Sequence, residues 1–130
     1  MSERIAIIGG GKIGEALLAG LIGAGTPTKD LVVAERVESR AAEIAEEYGV
    51  LVTDVKSAAE SAQYVFLAIK PDDVDSILRI LASAEDNAES ERVTVTLVAG
   101  LPLSRYESAL QAGSPVIRVM PNTPMLVNEA

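Results

Sequence analysis

The 130-residue sequence contains neither cysteine nor histidine, and each absence excludes a class of chemistry. Without cysteine there are no disulfides and no thiolate nucleophile, and the composition fits a reducing compartment such as the cytoplasm. Without histidine the chain lacks the commonest general acid or base and the commonest metal ligand. A Ser-His-Asp triad and an ordinary zinc site are therefore excluded, and we expect no metal site in this chain.

Basic residues are also scarce, with 11 lysines and arginines against 19 aspartates and glutamates and a net charge of −8. Nucleic-acid and membrane-surface partners both need a basic face, so the charge argues against both and requires any anionic ligand to be held by local features. The apolar run after the first four residues is far too short for a signal peptide or a membrane span. We therefore expect a soluble cytoplasmic protein with a small-molecule partner.

Apolar residues make up 48% of the chain, which is enough for the core of one domain. Continuous apolar runs alternate with segments of helical periodicity, and this alternation is typical of β-α-β units around a parallel sheet buried on both faces. The sequence therefore predicts an α/β fold with a mostly parallel sheet of about six strands flanked by helices. The predicted strands are residues 5–8, 31–34, 50–52, 64–69, 93–98 and 116–120.

The first predicted strand leads into the glycine-rich turn Gly9-Gly10-Gly11-Lys12-Ile13-Gly14 and then into a helix. Gly9 permits the tight turn, Gly11 lets the backbone approach a pyrophosphate, and Gly14 lets the helix pack close to the strand. Phosphates at this turn face unpaired N–H groups and the positive end of the helix dipole. The spacing G-x-G-x-x-G alone is weak, because glycine turns also occur at ordinary strand reversals. Its place between a strand and a helix favours a dinucleotide site in a Rossmann-like fold.

Two charged residues, Glu35 and Arg36, follow the second predicted strand at the edge where such folds bind ligands. An acidic side chain here can accept hydrogen bonds from a ribose 2′-hydroxyl and favours NAD, whereas an arginine can bind a 2′-phosphate and favours NADP. Arg40 could assist Arg36. The alternative is that these residues are ordinary surface charges at a helix start, and this is the preferred interpretation of Arg40.

Further candidates follow the glycine turn and the later strands. Lys12 opposes the helix dipole, so a bound phosphate would explain its presence, with an exposed lysine as the alternative. Lys70 precedes Pro71 and is therefore biased to an extended backbone, which could aim main-chain groups at the nicotinamide side; a simple strand exit is the alternative. The remaining positions at predicted strand ends are Ala99, Gly100, Asn122 and Thr123.

Four ordered blocks of the sequence resemble the pyrroline-5-carboxylate reductase family. They are Ile8-Gly9-Gly10-Gly11-Lys12-Ile13-Gly14-Glu15-Ala16, Val65-Phe66-Leu67-Ala68-Ile69-Lys70-Pro71, Val98-Ala99-Gly100-Leu101 and Arg118-Val119-Met120-Pro121-Asn122-Thr123-Pro124. The Lys-Pro and Asn-Thr-Pro blocks are far more specific than the glycine motif. From the first block to the last, the resemblance extends over essentially the entire chain, from residue 8 to residue 124.

The resemblance implies an NAD(P)-binding domain over residues 1–124, with NADP(H) as cofactor and NAD(H) as the alternative. It places Gly9 to Ile13 on the pyrophosphate, Arg36 near the 2′-phosphate, Ala68 to Pro71 and Ala99 along the dinucleotide, and Asn122 and Thr123 on the substrate side. With the positions inferred from spacing, the cofactor-binding set is Gly9, Gly10, Gly11, Lys12, Ile13, Gly14, Glu35, Arg36, Ala68, Ile69, Lys70, Pro71, Ala99 and Gly100.

The resemblance also implies an activity, in which hydride passes from the nicotinamide to the C=N carbon of 1-pyrroline-5-carboxylate and yields L-proline. Residues 125–130 are then the start of a connection to a C-terminal helical domain that this chain lacks. That domain forms the homo-oligomer and supplies the catalytic groups, so we expect the 130-residue chain to be inactive alone.

Two other functions fit the same residues. The chain could be the cofactor domain of another NADP-dependent oxidoreductase, prephenate-dehydrogenase-like or deazaflavin-linked, although the Met-Pro-Asn-Thr-Pro block fits these less well. It could also be a non-catalytic nucleotide-binding module, for which the lack of histidine and of the second domain is the main support.

Overall fold

A computed structural model describes residues 4–60, 62–85, 92–110 and 115–119 of the chain. The strands in these ranges form one parallel sheet in the order β3-β2-β1-β4-β5-β6. This is the order of a doubly wound dinucleotide-binding sheet, and it confirms the predicted Rossmann-like fold. The strands are β1 (Ile5–Ile8), β2 (Leu31–Ala34), β3 (Leu51–Thr53), β4 (Tyr64–Leu67), β5 (Val93–Thr96) and β6 (Val116–Arg118).

Helices cover both faces of the sheet and divide the core in two. Side chains alternate between the faces along each strand, so Ile7 points to one face and Ala6 and Ile8 to the other. Ile7 packs in a cluster with Leu18 and Ile44, whereas Ile8 belongs to a separate cluster on the opposite face. The helices are α1 (Lys12–Gly23), α2 (Glu38–Tyr48), α3 (Val55–Glu60), α4 (Val74–Glu85) and α5 (Leu103–Ala109), with 3₁₀ turns at Thr28–Asp30 and Pro71–Asp73.

The two faces explain the composition of the strands. Helices α1 and α2 contribute to the cluster around Ile7, while α3, α4 and α5 contribute to the cluster around Ile8. A strand covered on both sides must be apolar at every position, which is why β2 is buried along its whole length. Within the described ranges, no helix is both long enough and apolar enough to cross a membrane.

Some strand ends differ from the prediction. Strands β1 and β2 have the predicted bounds, and β3 begins and ends one residue later than predicted. Strands β4 and β5 each end two residues early, because the chain leaves the sheet there and forms the loops of the candidate site. The predicted last residue of β6, Met120, lies outside the described residues.

Candidate functional site

The carboxyl ends of β1, β2 and β4 lie in one row. Ile8 ends β1 in register with the last residues of β2 and β4. The next residues along the three strands, Gly9, Glu35 and Ala68, therefore leave the sheet side by side. Backbone hydrogen bonds of 2.9 Å tie Gly9 to β2 and Ala68 to β1. The topology thus brings the predicted residues of three loops to one edge.

The glycine turn passes very close to the loop after β4. Gly9 has φ +109°, a conformation that side-chain-bearing residues rarely adopt, and a Cβ there would lie 2.3 Å from the carbonyl oxygen of Ala68. A Cβ on Gly14 would lie 2.0 Å from the carbonyl oxygen of Gly9. These contacts confirm that the turn is tight and that α1 packs against it without room for a methyl group.

The start of α1 faces open space. Gly11 is the N-cap residue of this helix and has no side chain with which to cap it, so the first N–H groups of the helix lack an acceptor from that position. A Cβ built on Gly11 meets no atom within 4 Å. An anion could therefore approach the backbone directly and meet the positive end of the helix dipole.

Gly10 is held on both sides, by a side chain from the loop after β2 and by one from α2. Its N–H donates to Glu35 Oε1 over 2.8 Å, and its carbonyl oxygen accepts from Arg40 Nε over 2.6 Å. The other carboxylate oxygen of Glu35 accepts the N–H of Val37 over 2.9 Å. A Cβ on Gly10 would lie 2.5 Å from Ile44 Cδ1 and 2.9 Å from Glu35 Oε1, so a larger residue here would displace the ends of these two side chains.

The arginine that holds Gly10 is itself fixed by α1. Arg40 forms an ion pair with Glu15, and Glu15 also accepts a 2.5 Å hydrogen bond from the Tyr48 hydroxyl. The hydrogen bond from Tyr48 and that from Arg40 lower the pKa of Glu15, and the bond to Glu15 raises the pKa of Tyr48 to about 12. The interpretation of Arg40 as an ordinary surface charge is therefore wrong, since it joins the glycine turn to both helices.

Three exposed cations lie around the same edge, two on loops and one at the start of α1. The Arg36 side chain is 84% exposed, and its Nη2 lies 4.0 Å from Asp73 Oδ2 on the turn after β4. Lys12 and Lys70 are also exposed. These three cations are available to an anion at this edge, where Glu35 and Asp73 carry charges of the opposite sign.

The loop after β5 is anchored by a buried pair of hydroxyl groups. Thr96 Oγ1 lies 2.8 Å from the Tyr106 hydroxyl oxygen and accepts the N–H of Val98 over 3.1 Å. Both hydroxyl-bearing residues are fully buried. Beyond this anchor, Ala99 and Gly100 are exposed, and Gly100 has φ +85°.

The structure thus brings the predicted site residues of the loops after β1, β2 and β4 to one edge of the sheet. Asn122 and Thr123 lie outside the described residues, whereas Ala99 and Gly100 lie one strand beyond the three adjacent loops. Within the described ranges, no group of three or more acidic side chains is arranged to hold a metal ion.

Sequence reasoning missed the side chains that support the glycine turn, which are Glu15, Arg40 and Tyr48. One signal was present: Arg40 lies in the first turn of α2, where a cation opposes the helix dipole and needs a specific acceptor. Nothing comparable distinguished Tyr48, whose position in the helical pattern indicated only packing.

The sequence matches one family model and is similar to curated proteins. The sequence model of the family described as NADP oxidoreductase coenzyme F420-dependent matches residues 4–100. A pyrroline-5-carboxylate reductase of Mycobacterium tuberculosis strain H37Rv is 53% identical over 127 residues, which are 95% of this chain and 43% of the relative. One of Methanosarcina acetivorans is 36% identical, with 99% and 47% coverage. The chain therefore spans less than half the length of these curated relatives.

Solved structures share the fold. A pyrroline-5-carboxylate reductase from Coxiella burnetii superposes with a TM-score of 0.90 at 29% identity, covering 98% of this chain and 47% of that one. A prephenate dehydrogenase from A. aeolicus superposes with a TM-score of 0.74 at 14% identity, covering 91% and 41%. The second likeness shows the fold alone.

Proposed function

Because the chain belongs to the family described as NADP oxidoreductase coenzyme F420-dependent, we propose that it is the NADP(H)-binding part of a pyrroline-5-carboxylate reductase. The observation that carries this proposal is the 53% identity, over 95% of the chain, to a protein of that name. Bound NADPH supplies the hydride that reduces the C=N bond of 1-pyrroline-5-carboxylate to L-proline. The substrate and the reaction are those of the whole protein.

The glycine turn fits the pyrophosphate of a dinucleotide. The open space beside Gly11 and the uncapped start of α1 offer N–H donors to an anion, and Gly9 and Gly14 let the turn lie close enough to the sheet to form the floor of the site. We assign the pyrophosphate to Gly9, Gly10, Gly11, Lys12 and Ile13, with Gly14 providing the close helix packing.

We assign the adenosine end of the cofactor to the loop after β2. Arg36 has the exposed guanidinium group of this loop and is the residue we assign to a 2′-phosphate. Glu35 accepts two backbone N–H bonds, which partly offset its charge and direct it toward the turn, so it obstructs a 2′-phosphate less than a free carboxylate would. NADP(H) is therefore the preferred cofactor and NAD(H) the alternative.

The nicotinamide end of the cofactor is assigned to the loops after β4 and β5. We assign Ala68, Ile69, Lys70, Pro71, Ala99 and Gly100 to the dinucleotide and Asn122 and Thr123 to the substrate side. Residues 1–124 form the cofactor domain in this proposal, and residues 125–130 begin the connection to a helical part that supplies the catalytic groups and the homo-oligomer interface. A cytoplasmic location is proposed because the sequence has no cysteine.

Calorimetric titration with NADPH and NADH tests the cofactor assignment. We expect saturable binding of both, with NADPH tighter. Binding of neither at millimolar concentration would contradict the dinucleotide assignment and leave a non-catalytic module.

The reaction is tested by joining this chain to the C-terminal half of the 53% identical mycobacterial relative. We expect the fusion to oxidise NADPH when 1-pyrroline-5-carboxylate is added, and we expect the chain alone and the added half alone to be inactive. The second candidate, a deazaflavin-linked oxidoreductase, is favoured by the family description. It predicts that the longer protein transfers hydride from NADPH to oxidised coenzyme F420 and does not turn over the imine.

A further inference from the structure

We propose that Arg40 is a positioning residue that aims the Gly11 N–H at the pyrophosphate of the cofactor by holding the Gly10 carbonyl group. This inference rests on the proposed cofactor binding and extends it to a residue that need not touch the cofactor. Arg40 Nε donates to the Gly10 carbonyl oxygen over 2.6 Å, from the side of the turn that faces α2.

Peptide planarity carries the effect from one residue to the next. The Gly10 carbonyl and the Gly11 N–H belong to the same peptide group, and in a trans peptide these two bonds point in opposite directions. The described residues contain no cis peptide bond. When Arg40 holds the carbonyl toward α2, the Gly11 N–H must point away from α2. A Cβ built on Gly11 meets no atom within 4 Å, so there is open space beside this residue.

The preceding peptide group is fixed in the same way. The Gly10 N–H donates to Glu35 Oε1, so the Gly9 carbonyl is directed to the opposite side, where it lies against α1 at Gly14. Two successive peptide planes are therefore set by two side chains, one from the loop after β2 and one from α2. A glycine turn has wide conformational freedom of its own, and this double hold removes it before a ligand arrives.

A second layer of contacts fixes Arg40. Its guanidinium group pairs with Glu15 on α1 and with Glu43 on α2, and Glu15 also accepts the Tyr48 hydroxyl. Arg40 is only about a third exposed along its side chain. An arginine with acceptors on three sides has little rotational freedom, which suits it to aim a peptide rather than to follow a ligand.

The test compares the affinities of three ligands for variants at two arginines. NADPH and NADH both contain the pyrophosphate, whereas adenosine 2′-monophosphate contains only the phosphate assigned to Arg36. We expect Arg40→Met to weaken NADPH and NADH equally, by about tenfold, which corresponds to about 1.4 kcal/mol, and to leave adenosine 2′-monophosphate unchanged. Arg36→Met should instead weaken NADPH and adenosine 2′-monophosphate and spare NADH.

Arg105→Met is the matched control, because it breaks a two-bond ion pair with Asp75 on α4, and α4 covers the face of the sheet opposite α1 and α2. The affinities of this variant for all three ligands should stay within twofold of those of the unsubstituted protein. If Arg40→Met does not fold, Tyr48→Phe takes its place. It removes one contact of the second layer and should weaken NADPH and NADH about twofold to threefold, again equally.

The possible outcomes distinguish failure of the positioning role of Arg40 from failure of the proposed cofactor binding. If the unsubstituted chain binds neither dinucleotide, the proposed cofactor function fails. If it binds them and the folded Arg40→Met protein binds them equally well, the positioning role alone is overturned. Equal losses for all three ligands would also overturn it, because they would indicate a general disturbance of the domain.

Discussion

Helix α1 contains two glycines whose replacement by alanine should have opposite effects. Gly20 is an exposed interior position where a Cβ meets no atom within 4 Å. Alanine is favoured over glycine in a helix interior by up to about 1 kcal/mol, so Gly20→Ala should stabilise the domain by about that amount. At Gly14 the same gain is available, but the Cβ would lie 2.0 Å from the Gly9 carbonyl oxygen.

The clash at Gly14 should outweigh the helix propensity. Ordinary van der Waals contact begins near 3.4 Å, and the obstacle is backbone, so either the helix or the glycine turn has to move. Overpacking of this kind costs about 3 kcal/mol at the upper end of its usual range, which leaves a net loss of about 2 kcal/mol for Gly14→Ala. For a chain of this length, 1 kcal/mol corresponds to about 4 °C in melting temperature.

Thermal and urea unfolding, followed by circular dichroism, measure both effects. We expect Gly20→Ala to melt about 4 °C higher and Gly14→Ala about 8 °C lower than the unsubstituted chain. The two variants have the same composition and the same change in the unfolded chain, so their difference reports on the folded structure. Gly14→Ala should also bind NADPH more weakly, while Gly20→Ala should not. Equal melting temperatures for the two variants would refute the close approach of α1 to the turn.

Three further predictions concern charge and hydrogen bonding. Asp73→Asn should raise the affinity for NADPH relative to NADH by about twofold to fivefold, because it removes the carboxylate nearest Arg36; an unchanged ratio in calorimetry would contradict this. The pKa of Tyr48 is raised to about 12 in the folded chain, against about 10 in the unfolded chain. The stability that this shift contributes is fully present below pH 10 and is lost as the pH rises toward 12. Urea midpoints should therefore fall more between pH 10 and pH 12 in the unsubstituted chain than in Tyr48→Phe. Thr96→Val should cost about 2 kcal/mol or more because it leaves the buried Tyr106 hydroxyl and the buried Val98 N–H without their partner, whereas Tyr106→Phe should cost only about 1 kcal/mol. Equal urea midpoints of the two variants would contradict the hydrogen bond from Val98, and midpoints equal to that of the unsubstituted chain would contradict the shared hydroxyl contact.

The sequence was sufficient for the fold because its apolar runs are bounded by charged residues and glycines. Strands β1 and β2 match the prediction to the residue. The overestimate of β5 has a physical cause: Leu97 and Val98 remain 5% and 3% exposed after the strand has ended. Hydropathy records burial, and burial continues into the loop after the pairing stops, so the composition could not locate the end of the strand.

The candidate site was predictable only where one residue type performs one local task. The tasks of Gly9 and Gly14 follow from backbone geometry within a few residues, and both were predicted. The support from Arg40, Glu15 and Tyr48 depends on the side-by-side packing of α1 and α2. Long polar side chains on two helices are individually typical of solvent-exposed positions, so no local pattern distinguishes a pair that meets.

The strand order has a consequence for how the chain folds. β1 lies at the centre of the sheet and pairs with β2 and β4, and it is synthesised before either of them. Its β2 side can close early, but its other edge stays unpaired until β4 has been made and brought back across the intervening units. Parallel pairing over such separations is slow, and an open apolar edge can recruit other chains. A ribosome stalled before β4 should therefore carry an aggregation-prone half-sheet, and holdase chaperones should bind that nascent chain more than the finished one.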